Sequence, residues 1–131
     1  GPGNKDLADP FEAAAAHGAA TVRALLDRGI WTQTDAYTTF YNVNFAPLPA
    51  ASVKGLKVTT QGRRPDVNFS VQADRSPTGR DFLWVRGGPQ HGATAPGTDA
   101  QANLDGYTSV TPMRADLTAH DMVSKLKGLL E

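Results

Sequence analysis

A chain of 131 residues, 40% of them hydrophobic, has the size of one domain with a modest core. Its 13 basic and 13 acidic side chains cancel, so no global field draws nucleic acid or an anionic membrane. The absence of cysteine excludes disulfides, thiolate catalysis and cysteine-held zinc or iron–sulfur sites.

No apolar run is long enough to span a bilayer, and the first residues lack a signal peptide's basic and apolar regions. The expectation is a soluble, cytoplasmic chain. Gly1-Pro2-Gly3-Asn4 reads as a tag remnant, which leaves residues 5–131 as the domain. Asp9-Pro10-Phe11-Glu12 reads as a helix start, with Asp9 as cap, Pro10 at the first helical position and Glu12 completing a capping box. The helix should run to Arg28 and end at Gly29. Phe11, Ala14, Ala15, Gly18, Ala19, Val22, Leu25 and Leu26 recur at helical spacing, and the small residues allow close approach to a sheet. His17 has no second ligand four residues on and reads as a surface residue.

Residues 38–45 alternate, with Tyr41, Val43 and Phe45 on one side and Phe40, Asn42 and Asn44 on the other. Asn42 and Asn44 project towards the strand's carboxyl end, where open α/β sheets place ligands; hydrogen bonds to loop backbone are the plainer role. Ala46-Pro47-Leu48-Pro49 breaks the pattern, and residues 54–60 supply a second strand with Leu56 and Val58 on one face. Two further runs, 67–72 and 81–86, flank a polar tip at 73–80 and form a β-hairpin arm of about 65–87. Val67, Phe69 and Val71 share one face of the arm, and Phe82 and Trp84 share a face of the returning strand. A two-stranded ribbon is marginal alone, so these aromatics need a covering surface.

The glycine- and proline-rich residues 87–97 read as a loop, in which His91 lacks the orienting partner that acid–base chemistry needs. Thr98 and Gln101 form a reciprocal capping box for a short helix that Gly106 stops. A strand follows at 107–111, and Pro112, lacking a donor, should end its pairing. Leu117 and Met122 then staple a Thr118 cap onto a terminal helix of about 118–130, with Met122, Val123, Leu126, Leu129 and Leu130 as its buried stripe. Asp116 and His120 stand four apart, close enough to touch, but no nucleophile completes a triad, so the pair reads as a structural tie.

Six motifs in register carry a family resemblance: Asn42-Val43-Asn44-Phe45, Lys54-Gly55-Leu56-Lys57-Val58-Thr59, Gln61-Gly62-Arg63-Arg64, Gly97-Thr98-Asp99, Gly106-Tyr107-Thr108-Ser109-Val110-Thr111-Pro112 and Asp116-Leu117-Thr118-Ala119-His120. Over about 10–131 the chain resembles the SurE-type survival-protein 5'/3'-nucleotidases. The resemblance implies an α/β chain, the carboxyl-terminal part of a Rossmann-like SurE fold, with a packing helix, sheet strands, a projecting hairpin and a terminal helix. It implies a phosphatase family that uses magnesium or manganese to hydrolyse nucleotide monoesters. That family holds its ion on adjacent aspartates followed by glycine near the amino terminus, joined later by a serine and an asparagine, and this chain has no adjacent aspartate pair. No metal ligand and no catalytic residue is therefore carried over, and the chain alone is expected to bind no cofactor and to be inactive.

What the resemblance does imply is that Thr98 and Asp99 neighbour the phosphate site, a wall that Asn42 and Asn44 join by their place at the strand's carboxyl end. It also implies oligomer contacts through Phe69, Phe82 and Trp84, with Asp116 and His120 steadying the hinge of the terminal helix. The implied partners are other copies of the chain or the missing amino-terminal half, with nucleotide as the intact enzyme's substrate and no membrane. The alternative is a stand-alone oligomerisation or interaction module without catalysis. A nucleic-acid ribbon built on Arg63, Arg64, Arg75, Arg80 and Arg86 is disfavoured by the neutral charge, since hairpin edges carry such residues to deter aggregation.

Overall fold

The computed structural model describes residues 9–32, 37–64, 68–88 and 92–131. In chain order these form α1 (Glu12–Arg28), β1 (Phe40–Asn44), one 3-10 turn (Ala50–Ser52), β2 (Leu56–Val58), β3 (Ser70–Arg75), β4 (Asp81–Arg86), α2 (Asp99–Leu104), β5 (Thr108–Met113) and α3 (His120–Leu130). The last strand is the central one. β5 lies between β1, which runs antiparallel to it, and β2, which runs parallel. Its hydroxyl-rich sequence is the most buried stretch among the described residues, with Thr108, Ser109, Val110 and Thr111 all inside. The other buried apolar side chains among the described residues are small, Ala13, Ala46, Ala100 and Ala102, joined by Thr21, Thr39, Thr59 and Thr98. Among the described residues no helix is long and apolar enough to cross a membrane.

Strand register divides the sheet into two faces. Tyr41, Val43, Leu56, Val58 and Val110 share one, which looks across a cleft towards α1. Asn42, Asn44, Lys57, Ser109 and Thr111 share the other, and α2 packs against β5 on that side, where Lys57 meets Asp105 just past its end. On this face the hydroxyls of Thr59 and Thr111 bond at 2.8 Å.

The strands differ from the expected ones in four places. The 38–45 strand is shortened to β1, and the 54–60 strand to β2. In the hairpin, β3 begins and ends three residues later than 67–72, so Ala73, Asp74 and Arg75 belong to the strand and not to the tip. The reason is local turn chemistry: Ser76 N donates to Arg80 O, Gly79 N donates to Ser76 O, and Gly79 takes a φ of +82° that only glycine adopts freely. An exposed Arg75–Asp81 ion pair at 2.9 Å closes the ladder. Val67 and His91 lie outside the described residues. Pro112 does not end pairing, because β5 continues to Met113 with Pro112 opposite Tyr41. Thr108 N and Val110 O turn towards β2, so Pro112's nitrogen points the same way, past the end of β2, where no ladder needs a donor.

The helices differ in what they bury. α1 stops at Arg28 as expected, and Gly29 is required there because a Cβ would stand 2.3 Å from Leu25 O. Its start is different. Asp9 Oδ1 accepts from Phe11 N, Pro10 lies ahead of the first helical residue, and Glu12 turns outward to accept from Ala50 N at 2.9 Å. The buried residues are Ala13 and Thr21, whereas Phe11, Val22 and Leu26 of the expected stripe are exposed. His17 is half-buried, with Nε2 3.0 Å from Ala50 O, so it is a packing contact and not a surface residue. In α3 no residue is buried, so the expected stripe lies at the surface. Leu117 is 95% exposed and makes no staple, and the turn before α3 is held by Asp116 Oδ1 accepting from Thr118 N instead of by a Thr118 cap.

Candidate functional site

The segment after β2 runs beside residues 97–99. Thr60 N donates to Gly97 O at 3.1 Å and Asp99 N donates to Thr60 O at 2.9 Å, a parallel bridge that Gly97 enters at a φ of +81°. Asp99 then joins the two strands of this junction to the helix: its Oδ1 accepts from Gly62 N at 2.8 Å and from Ala100 N at 2.7 Å. Gly62 has to be glycine for this approach, since a Cβ there would lie 2.9 Å from that oxygen and 3.0 Å from Thr98 Cβ. The Gln61-Gly62-Arg63-Arg64 motif does not reveal this reason in sequence. A glycine followed by two arginines carries no local signal of a contact 37 residues away.

Thr98 is buried and its hydroxyl is fully engaged. It donates to Ala95 O at 2.7 Å, accepts from Gln101 N at 3.3 Å and lies 3.0 Å from the Thr94 hydroxyl. Half of the expected capping box is therefore present. The Gln101 side chain does not return to Thr98: its Oε1 accepts from Thr94 N and its Nε2 donates to Asp105 Oδ1. Gly106 stops the helix at a φ of +90°.

Asn42 and Asn44 lie on the α2 face, opposite Thr111 and Ser109. Asn44 stands level with Lys57, and its carbonyl accepts from Asn103 Nδ2 at 3.0 Å. Thr98 and Asp99 stand beside Thr60, at the other end of α2. The structure thus brings Thr98, Asp99 and Gly62 together and leaves Asn44 at the opposite end of the helix. At that end, two lysines not foreseen from sequence close the helix terminus. Lys54 Nζ donates to Asp105 O at 2.7 Å, and Lys57 Nζ lies 3.9 Å from the centre of the Tyr107 ring.

On the opposite face, a cleft of about 720 Å³ opens between α1 and the sheet, lined by Thr21, Leu25, Ile30, Tyr41, Leu56 and Val58 among others. Trp31 and Tyr41 stack edge to face at 4.9 Å, and Tyr41 Oη both donates to Ile30 O and accepts from Ile30 N, which anchors the chain leaving α1. Asp116 sits at the edge of this cleft. Its Oδ2 meets His120 Nε2 at 2.5 Å, and its carboxyl is held at about 2 against an ordinary 3.8, chiefly by that hydrogen bond and next by the Thr118 amide.

The hairpin exposes apolar side chains on both faces. Phe82 and Trp84 stack edge to face at 5.4 Å beside Asp74 and Gln72, while Val71, Leu83 and Val85 share the other side with Phe69 just ahead of β3. Among the described residues no group of three His, Cys, Asp or Glu side chains is placed to hold a metal ion. The described residues therefore do not fit the magnesium or manganese site that the family resemblance implies.

No family model matches the chain. Among curated proteins it is 58% identical over 130 residues to a 5'-nucleotidase SurE of Cereibacter sphaeroides, an alignment that covers 99% of this chain and 49% of that protein. A 5'-nucleotidase SurE of a Ruegeria species is also 58% identical, with 98% of this chain and 49% of that protein covered. Among solved structures, the SurE protein from Aquifex aeolicus is similar with a TM-score of 0.63 at 33% identity, covering 97% of this chain and 48% of that one. The chain spans about half the length of the curated relatives it matches.

Proposed function

The chain belongs to the SurE family, of whose members it spans about half, and from that premise we propose that it serves as the carboxyl-terminal half of a divalent-metal-dependent nucleotidase. Its part is to complete the sheet, wall the site and join subunits, in the cytoplasm. The observation that carries this reading is the 58% identity to proteins named 5'-nucleotidase SurE across nearly the whole of this chain. Hydrolysis of a phosphate monoester needs a cation to offset the phosphoryl charge and position the nucleophile. With no ligand set among the described residues, that chemistry is assigned to the half of the family protein outside this chain. Thr98 and Asp99 form one wall of the site, held rigid by Gly62 and the helix cap. The exposed Phe69 and Trp84, with the half-buried Phe82, suit a subunit contact, as does the uncovered apolar stripe of α3. The Asp116–His120 tie steadies the turn from which α3 leaves.

The test is release of phosphate from a nucleoside 5'-monophosphate with manganese present. The chain alone should release none, and the chain co-expressed with a polypeptide spanning the rest of the Cereibacter sphaeroides relative should release it. Turnover by the chain alone at an intact relative's rate would refute the division of labour. An inactive but assembled pair would instead favour the stand-alone interaction module.

A further inference from the structure

Among the described residues β2 has a neighbour on one side only. Gly55 O accepts from Thr108 N and Thr59 N donates to Val110 O, so the odd-numbered residues of this stretch turn their backbone polar groups towards β5. By the alternation of a parallel ladder, the N–H and C=O of Leu56 and Val58 point the other way. Thr60 points outward with them, but there residues 97–99 already take up its donor and acceptor. The edge is closed at Thr60 and open at Leu56 and Val58.

The side chains of these two residues are bare as well. Leu56 is 50% exposed and Val58 80%, and both border the cleft whose far side carries Leu25 and Ile30. Parallel strands are stable when both faces are covered, and natural edges are blunted by an inward charge, a proline or a bulge. Nothing of that kind protects β2, because its one charge, Lys57, is turned to the other face onto the Tyr107 ring. An edge and a cleft left open together fit one occupant. The matched relatives are about twice as long as this chain, so a polypeptide of roughly equal length accompanies it in the family. We propose that an apolar strand of that polypeptide pairs with β2 at Leu56 and Val58 and fills the α1 cleft with its side chains. The proposal rests on the half-enzyme reading and names where the two halves meet.

The experiment co-expresses the tagged chain with a polypeptide spanning the rest of the Cereibacter sphaeroides relative. The untagged partner carried through purification is then measured. Wild type and Ala19→Asp, exposed on the side of α1 opposite cleft-lining Thr21, should carry it equally. Leu56→Asp and Val58→Asp should reduce it about tenfold or more, by the burial lost from one aliphatic side chain. Val58→Pro, which keeps an apolar side chain and removes the outward donor, should do the same. Circular dichroism of the isolated variants should match wild type, and slower amide exchange at Leu56 and Val58 in the wild-type complex reports the pairing independently. Full carriage by all three variants would overturn the docking edge and leave the half-enzyme reading standing. Failure of the wild-type chain to carry any partner would overturn both. Loss of self-association in Val58→Asp with partner carriage intact would make a second copy the occupant and overturn the proposal.

Discussion

Replacing Gly62 with alanine should destabilise the chain although the residue is neither in a helix nor in a strand. The added Cβ would stand 2.9 Å from Asp99 Oδ1, 3.0 Å from Thr98 Cβ and 3.1 Å from Thr98 Oγ1. None of these atoms can retreat freely. Asp99 Oδ1 accepts two amide hydrogen bonds, and Thr98 is buried with its hydroxyl engaged by Ala95, Gln101 and Thr94. Overpacking of this kind costs about 1–3 kcal/mol, and losing one amide bond to a charged acceptor costs about as much. The expected loss is therefore about 1–3 kcal/mol, read as a lower urea midpoint at unchanged slope. Asp99→Ala should cost a similar amount by itself. In that background Gly62→Ala meets only Thr98, so the two losses should fall short of additive by about 1 kcal/mol. A Gly62→Ala effect within about 0.5 kcal/mol of zero, or additivity within that margin, would refute the account of this junction.

Trp84→Asp should weaken self-association by about 30-fold or more, as loss of a central aromatic anchor does, and light scattering over a concentration series reads it. An unchanged mass profile would remove the hairpin from the interface. Asp116 has a folded value of about 2, below its ordinary 3.8, so the tie to the turn before α3 is fully present above about 3.8 and is lost as pH falls towards 2. Titration of the Asp116 carboxyl by NMR should show this, with His120→Ala moving the midpoint back towards 3.8. A wild-type midpoint near 3.8 would contradict the hydrogen bond.

Where the signal is local, the elements were legible. The Gly29 stop, the Thr98 cap and the Gly106 stop each follow from a few adjacent residues, and each stands in the structure. The failures share a cause. Helical periodicity shows that α1 and α3 have apolar stripes but not what covers them. In this chain only Ala13 and Thr21 of α1 are buried, the helix resting on the 3-10 turn at Ala50–Ser52 while a cleft separates it from the sheet, and α3 has no buried residue. Glu12 carries the same error in small: it suits a capping box by spacing, yet a backbone donor 38 residues away takes its carboxylate. For the candidate site, Thr98 and Asp99 were found by motif, while Gly62 was not recognised as their support, nor Lys54 and Lys57 as closing the far end of α2. Their partners are set by strand order, which no local pattern encodes.

By itself the sequence determined a neutral, cysteine-free α/β chain of the SurE type, because composition and motif order need no coordinates. Only the tertiary structure decided that the last strand stands at the centre of the sheet. That placement turns Leu56 and Val58 into an open edge and ties Asp99 to Gly62. The reason is physical: helix caps and turns are closed by neighbours in sequence, whereas a strand's partners come from wherever the chain can pair its backbone groups and bury its faces together.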